Sequence, residues 1–155
     1  MNDLTQRARE IISKIIYITI ATVTPDGKPW NSPVYSAFDE NYNFYWGSDI
    51  KSQHSQNITS NENVFIVIYN SLGGDFEGEG VYIKAKAHEI VDVEEKRKAF
   101  ELLNGRKEGY PWTLDILDGT KRQRLFKAVP EQCWMNGDST INGNFIDIRT
   151  EINLK

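Results

Sequence analysis

The feature that most constrains this chain is a sharply punctuated pair of β-rich runs near its start. Ile16-Tyr17-Ile18-Thr19-Ile20-Ala21-Thr22-Val23 is dense in β-branched and aromatic residues, which suit an extended backbone. Ile16, Ile18 and Ile20 fall on one face, and Tyr17, Ala21 and Val23 on the other, so both faces are partly apolar. Thr24-Pro25-Asp26-Gly27-Lys28 follows. Its proline presets φ for the first corner of a turn, and its glycine is free to take positive φ. Trp30 to Phe38 then returns as a second strand. Pro33 within it has no N–H to donate, which marks a sheet edge or a place where ladder pairing stops.

The same texture continues. Asp39-Glu40-Asn41 turns the chain into Asn43-Phe44-Tyr45-Trp46, and Val64 to Tyr69 is apolar on both faces, so it is expected to be buried on both sides. Val81, Ile83, Ala85 and Ala87 alternate with Tyr82, Lys84, Lys86 and His88, the pattern of a half-buried strand. Arg124 to Val129 and Gln132 to Met135 read as two closing strands around Pro130. Helices fall at residues 3 to 14, after a plausible Asp3 N-cap, and in the polar stretch containing Ser52 to Ile58, capped by a serine. A third opens on Asp92 and Glu95, spaced as a capping box, and runs to Leu103 before Gly105. Residues 106 to 120 are ambiguous, with one short helix between Trp112 and Leu117. Ser71 to Gly80, with four glycines, reads as a long loop. Five or six mostly antiparallel strands with peripheral helices predict a small β-barrel. Its outer face would meet a helix or a second subunit.

Length and charge narrow the class. At 155 residues the chain suits a single domain, 1–155, with no internal repeat or linker. Hydrophobic residues at 39% are too many for a disordered tail. The longest nearly uncharged run, Ile15 to Pro25, is too short to cross a bilayer, so no membrane association is expected. Charges at Asp3, Arg7, Arg9, Glu10 and Lys14 break up any signal-peptide core. The single cysteine, Cys133, suits a reducing cytoplasm. A net charge of −4 without a basic stripe argues against nucleic acid as partner.

Several motifs carry nothing. His54, His88 and Cys133 are too scattered for a structural metal, so no metal site is expected. Asp49, Ser52 and His54 could be imagined as a hydrolytic triad, but no nucleophile elbow accompanies them. Gly78-Glu79-Gly80 precedes a strand, whereas a dinucleotide fingerprint follows one. The stretch from Trp46 to Ile58 says more. An aromatic strand ends, Gly47 and Ser48 follow, and Lys51 precedes a helix start bearing Ser52, His54 and Ser55. Two readings are open. One is an ordinary N-cap in a solvated loop. The other is an anion site built from free helix N–H groups, hydroxyls and a cation. With Trp30 to Val34 and Tyr45-Trp46 beside it, a flat aromatic ligand ending in a phosphate would suit the second.

At these residues the sequence resembles the pyridoxamine 5′-phosphate oxidase-like family of flavin-binding split barrels. The resemblance rests on Ala21-Thr22-Val23 with Pro25-Asp26-Gly27, Pro29 to Val34, Phe44-Tyr45-Trp46, Ser52 to Ile58, Val64 to Tyr69, and Gly78 to Ile83. It returns more weakly at Leu125 to Trp134. It implies a six-stranded antiparallel split β-barrel, mainly β with peripheral helices. It further implies a homodimer with FMN at the subunit interface. Carried over residue by residue, Asn31, Ser32, Pro33 and Val34 would run along the flavin ring, and Trp46 and Ser48 would line it. Ser52, Gln53, His54 and Ser55 would take its phosphate, and Trp134 would approach from the other subunit.

The departures shape the expected function. Many relatives have lysine where this chain has His54. True pyridoxamine phosphate oxidases end in a basic segment with arginine and histidine, whereas this chain has no histidine after His88. The resemblance therefore implies an FMN-dependent oxidoreductase acting on a small organic substrate other than pyridoxamine phosphate, with no nameable catalytic side chain. Alternatives on the same fold are a flavin-binding stress or sensor protein without turnover, and a deazaflavin-dependent reductase.

Overall fold

The computed structural model describes residues 3–71, 78–106 and 113–155. The elements run α1 (Asp3–Lys14), β1 (Tyr17–Val23), β2 (Pro29–Phe38), β3 (Phe44–Asp49), α2 (Gln53–Ser60), β4 (Asn63–Tyr69), β5 (Gly80–Glu89), α3 (Val93–Arg106), a 3₁₀ turn (Leu114–Leu117), β6 (Gln123–Ile141) and β7 (Asn144–Ile152). The strands are hydrogen-bonded in the order β3-β2-β1-β4-β5-β6-β7, and β3 also pairs with β6. That last pairing closes six antiparallel strands into a barrel and leaves β7 outside the ring.

The opening hairpin forms as its sequence dictates. Gly27 donates its N–H to the Thr24 carbonyl at 2.8 Å and takes φ of 84°, the left-handed corner that leads the chain into β2. Alternation then sorts the strands. Ile18, Ile20, Ile66, Ile68, Val81, Ile83, Phe126 and Met135 fill the barrel, with Ala8 and Ile12 of α1 packed against them. A second cluster lies under α3, where Ala99 and Leu103 meet Tyr35, Tyr45 and Leu125. Asp92 caps α3 as expected, accepting the Glu95 N–H at 2.8 Å, but the helix runs past Leu103 and through Gly105 to Arg106. No helix among the described residues is long and apolar enough to cross a membrane.

Three expectations need correction. Val64 to Tyr69 is buried on one face only: Val64, Ile66 and Ile68 point inward, while Phe65 is 38% and Tyr69 51% exposed on the outside. The two expected closing strands are one, because Pro130 and Glu131 are absorbed by a bulge opposite Lys84 and Ala85 rather than breaking the ladder. β7 was not expected at all. Its signal was present in Asn142-Gly143, whose φ values of 52° and 79° make the tight turn between β6 and β7. The short helix expected from Trp112 is the 3₁₀ turn at Leu114–Leu117, and Trp112 and most of the loop at 71–80 lie outside the described residues.

One feature of the sheet positions the site. β2 and β3 pair only from Ser36↔Trp46 to Phe38↔Phe44. Beyond that they part: residues 47–49 stay on β6, opposite Leu125, Arg124 and Gln123, while the first half of β2 stays on β1. Pro33 lies on this freed edge of β2, where its missing N–H costs least. The chain leaves β3 into α2, which packs on β1 and β2.

Candidate functional site

The start of α2 carries a hydrogen-bonded cluster. Ser52 is the N-cap, with φ of −64° and ψ of 148°, and its hydroxyl accepts the Ser55 N–H at 3.4 Å. That hydroxyl also lies 2.8 Å from the Ser55 Oγ and 3.2 Å from both the Ser48 Oγ and the His54 Nε2. Ser48, at the end of β3, meets His54 Nε2 at 2.7 Å. Three hydroxyls and an imidazole thus converge from two elements. The helix beneath is fixed to the barrel: Gln53 donates to Asn57 at 2.8 Å, and the buried Asn57 donates to the Thr22 hydroxyl on β1 at 2.9 Å.

The electrostatics suit an anion. The first amide groups of a helix have no intrahelical partner, and with Ser55 taken by the cap, those of Gln53 and His54 remain. No acidic residue sits in the first turn of α2. Asp49, three residues before the cap, is engaged elsewhere, accepting the Lys51 N–H at 2.8 Å and pairing with Arg122 at 2.8 Å. Burial lowers the pKa of His54, so at neutral pH the imidazole is uncharged and can trade its proton with the hydroxyls. Hydroxyls, imidazole and free amides form a donor set that a phosphate would satisfy.

The remaining sequence-nominated residues divide. Val34 and Trp46 are in the barrel core. Trp46 is wholly buried against Phe126, at a ring separation of 5.7 Å, and its indole N–H has no partner, so only its backbone could meet a ligand. Ser32 accepts the Trp30 indole N–H at 3.0 Å. Asn31 and Pro33 are exposed on the outer face of the sheet, where Asn31 opposes Ala21, and Ala21 in turn opposes Phe65. Trp134 belongs to that outer face as well, stacked near Phe65 with ring centroids 6.4 Å apart. Ser48 pairs with Arg124, ten residues before Trp134 on β6, which is about 30 Å of extended chain. Within one chain, therefore, Trp134 does not join the serine cluster.

Arg122 was missed by the sequence reading. It is far from α2 along the chain, and only the β3–β6 pairing brings it beside Asp49. Nothing local in the sequence signals it.

Comparison with known proteins now fixes the family. The profile of the pyridoxamine 5′-phosphate oxidase family matches residues 4–136, and the chain belongs to that family. No curated protein matches. Solved structures share the fold at low identity. A protein from Bacteroides thetaiotaomicron assigned to 5-nitroimidazole antibiotic resistance is 18% identical over 87% of this chain and 84% of its own, with a TM-score of 0.72. The heme storage protein HutZ from Vibrio cholerae is 20% identical over 83% and 91%, with a TM-score of 0.68. A FAD-binding protein from Mesorhizobium loti is 16% identical over 84% and 91%, with a TM-score of 0.63.

Proposed function

We propose that this protein is an FMN-binding oxidoreductase acting on a small organic substrate, and that it works as a homodimer in the cytoplasm. The observation that carries the reading is the convergence of Ser48, Ser52, His54 and Ser55 on the free amides of α2. Ser52, Gln53, His54 and Ser55 would hold the phosphate. Asn31, Ser32 and Pro33, on the freed edge of β2, would lie along the ring. A bound flavin supplies the redox chemistry at such a site. The chain's own part is to bind, orient and shield it, and no side chain of the cluster is assigned as acid or base.

The homodimer reading is supported by the outer face. Tyr17, Val23, Phe65 and Tyr69 are exposed there, on the side that also carries Asn31 and Trp134. Two such faces packed together would cover the aromatics and bring each Trp134 to the partner's ligand.

The test is spectroscopic. Purified protein titrated with FMN, FAD, a deazaflavin and hemin is expected to take up FMN with quenched fluorescence, and NADH or NADPH is expected to bleach the bound flavin. Preferential uptake of hemin with no flavin binding would overturn the proposal. Flavin that binds but is reduced by neither nucleotide would favour the sensor reading, and uptake of a deazaflavin alone would favour the third.

A further inference from the structure

We propose that Asn57 and Thr22 are positioning residues that hold the serine–histidine cluster of α2 at a fixed span from the first half of β2, and so make the site select a phosphorylated flavin over its dephosphorylated form. The inference rests on the flavin reading above. It gives a role to two residues that stand behind the cluster rather than in it.

Helix α2 has little apolar anchorage. Its buried side chains are Ser55, Asn57 and Ile58, and of these only Ile58 joins the barrel core. One isoleucine can seat an eight-residue helix on the sheet. Apolar contact is non-directional, however, and sets neither the rotation of the helix nor its advance along its axis. Direction has to come from polar contacts, whose geometry is narrow.

Those contacts form one line. Gln53, in the first turn, donates a side-chain N–H to Asn57 Oδ1 at 2.8 Å, and Asn57 Nδ2 donates to the Thr22 hydroxyl at 2.9 Å. Thr22 donates in turn to the Trp30 carbonyl at 3.4 Å. Asn57 is fully buried and Thr22 is 2% exposed, so water does not compete for these bonds. Asn57 and Thr22 each accept and donate, and such a chain of bonds strengthens its members. The Trp30 indole carries the line along β2 to the Ser32 Oγ at 3.0 Å. In register, Thr22 stands opposite Trp30 and Ala21 opposite Asn31, so the line ends beside the first residue assigned to the flavin ring.

A buried asparagine is costly to desolvate, and an apolar side chain would pack there without that cost. Its return is geometric. The phosphate and the ring of a flavin are tied by a chain of limited reach, so one contact strengthens the other only when the two half-sites match that span. The line from Gln53 to Trp30 sets the span through side chains of α2 and β1 that end on the backbone of β2.

The test is fluorescence titration of FMN and riboflavin into the full chain as wild type, Thr22→Ser and the double variant Thr22→Val/Asn57→Leu. The double variant replaces both partners by apolar groups of similar shape, so its thermal midpoint is expected to stay close to that of the wild type. Wild type is expected to prefer FMN, and the double variant to lose about tenfold or more of that preference. Thr22→Ser keeps the hydroxyl and is expected to keep the preference. A folded double variant with the wild-type preference overturns the proposal and leaves the flavin reading standing, and so does a Thr22→Ser protein that loses as much as the double variant. A wild type that binds neither flavin, or both alike, overturns the phosphate site and this proposal with it. Should the double variant not fold, NMR of the wild type titrated with inorganic phosphate decides. The Asn57 side-chain amide and the backbone amides of Trp30 and Asn31 are expected to shift together with Ser55. Shifts confined to residues 52–55, or no shifts, overturn the proposal.

Discussion

The Ser48 hydroxyl sits 2.7 Å from Nε2 of His54, so the last turn of β3 and the first turn of α2 are joined through the imidazole. This contact gives His54 a role that an ordinary capping residue lacks. The hydroxyls of Ser48 and Ser52 share one nitrogen whose proton can be given to, or withdrawn from, an entering anion.

His54→Ala is expected to weaken FMN by about 1–3 kcal/mol, up to roughly a hundredfold, because it deletes one charge-assisted hydrogen bond to the phosphate. Riboflavin, which has no phosphate, is expected to bind both proteins alike. Fluorescence titration of the two flavins separates this outcome from equal losses, which would mean that His54 only supports the helix.

Acid reads the same residue. Burial holds the His54 pKa below its ordinary 6.5, so below that pH the unfolded chain binds a proton that the folded chain resists. The stabilisation from His54 is therefore complete above about pH 6.5 and is lost progressively as pH falls toward the lowered folded value. His54→Gln is expected to flatten this slope between pH 7.5 and 5.5 in thermal melts. FMN is expected to flatten it in the wild type too, since a bound phosphate favours the charged imidazole and restores its pKa. An unchanged slope in both cases would remove His54 from the phosphate's neighbourhood.

A different group governs stability at lower pH. Burial alone would raise the Asp39 pKa, but hydrogen bonds from Lys98, Asn43 and Tyr45 outweigh it and hold the carboxyl well below the ordinary carboxylate range. Asp39→Ala would strand the buried Tyr45 hydroxyl and the Asn43 amides, a loss of roughly 3 kcal/mol. Lys98→Ala removes only a half-exposed partner and is expected to cost under about 1 kcal/mol. Urea denaturation of the two variants tests that ranking, and equal losses would contradict it.

How far the sequence carried depends on the range of each interaction. The β1–β2 hairpin, the Ser52 cap and the Asp92 cap are set by residues within a few positions of each other, and each formed where its local chemistry put it. The barrel class followed from five or six strands joined mostly by short turns, which are local signals. Arg122 depended on a pairing between β3 and β6 that no local pattern encodes. The full length of β6 was hidden because Pro130 reads as a break, and only the Glu131 bulge lets the ladder continue. β7 is masked by the charges at Asp147, Arg149 and Glu151 that interrupt its apolar residues, although Asn142-Gly143 signals the turn. Burial of Phe65 and Tyr69 was expected from their chemistry, and a single chain does not supply it.

That uncovered face yields the last prediction. Phe65 lies on the outer row between Ala21 and Lys84, and its ring is stacked near Trp134. If this face joins two copies around the ligand, a charge at position 65 must be desolvated in the dimer but not in the monomer. Phe65→Lys is then expected to shift the protein toward a 17.8 kDa species in sedimentation and to weaken FMN in parallel, while the core residues Ile66 and Val64, facing the other way, keep the barrel folded. Trp134→Ala tests the same geometry from the ligand side. It is expected to leave the dimer intact and to raise the fluorescence of bound flavin, because an indole beside the ring would quench it. A Phe65→Lys protein that remains a dimer and binds FMN as tightly as the wild type would place both the interface and the ligand elsewhere on the barrel.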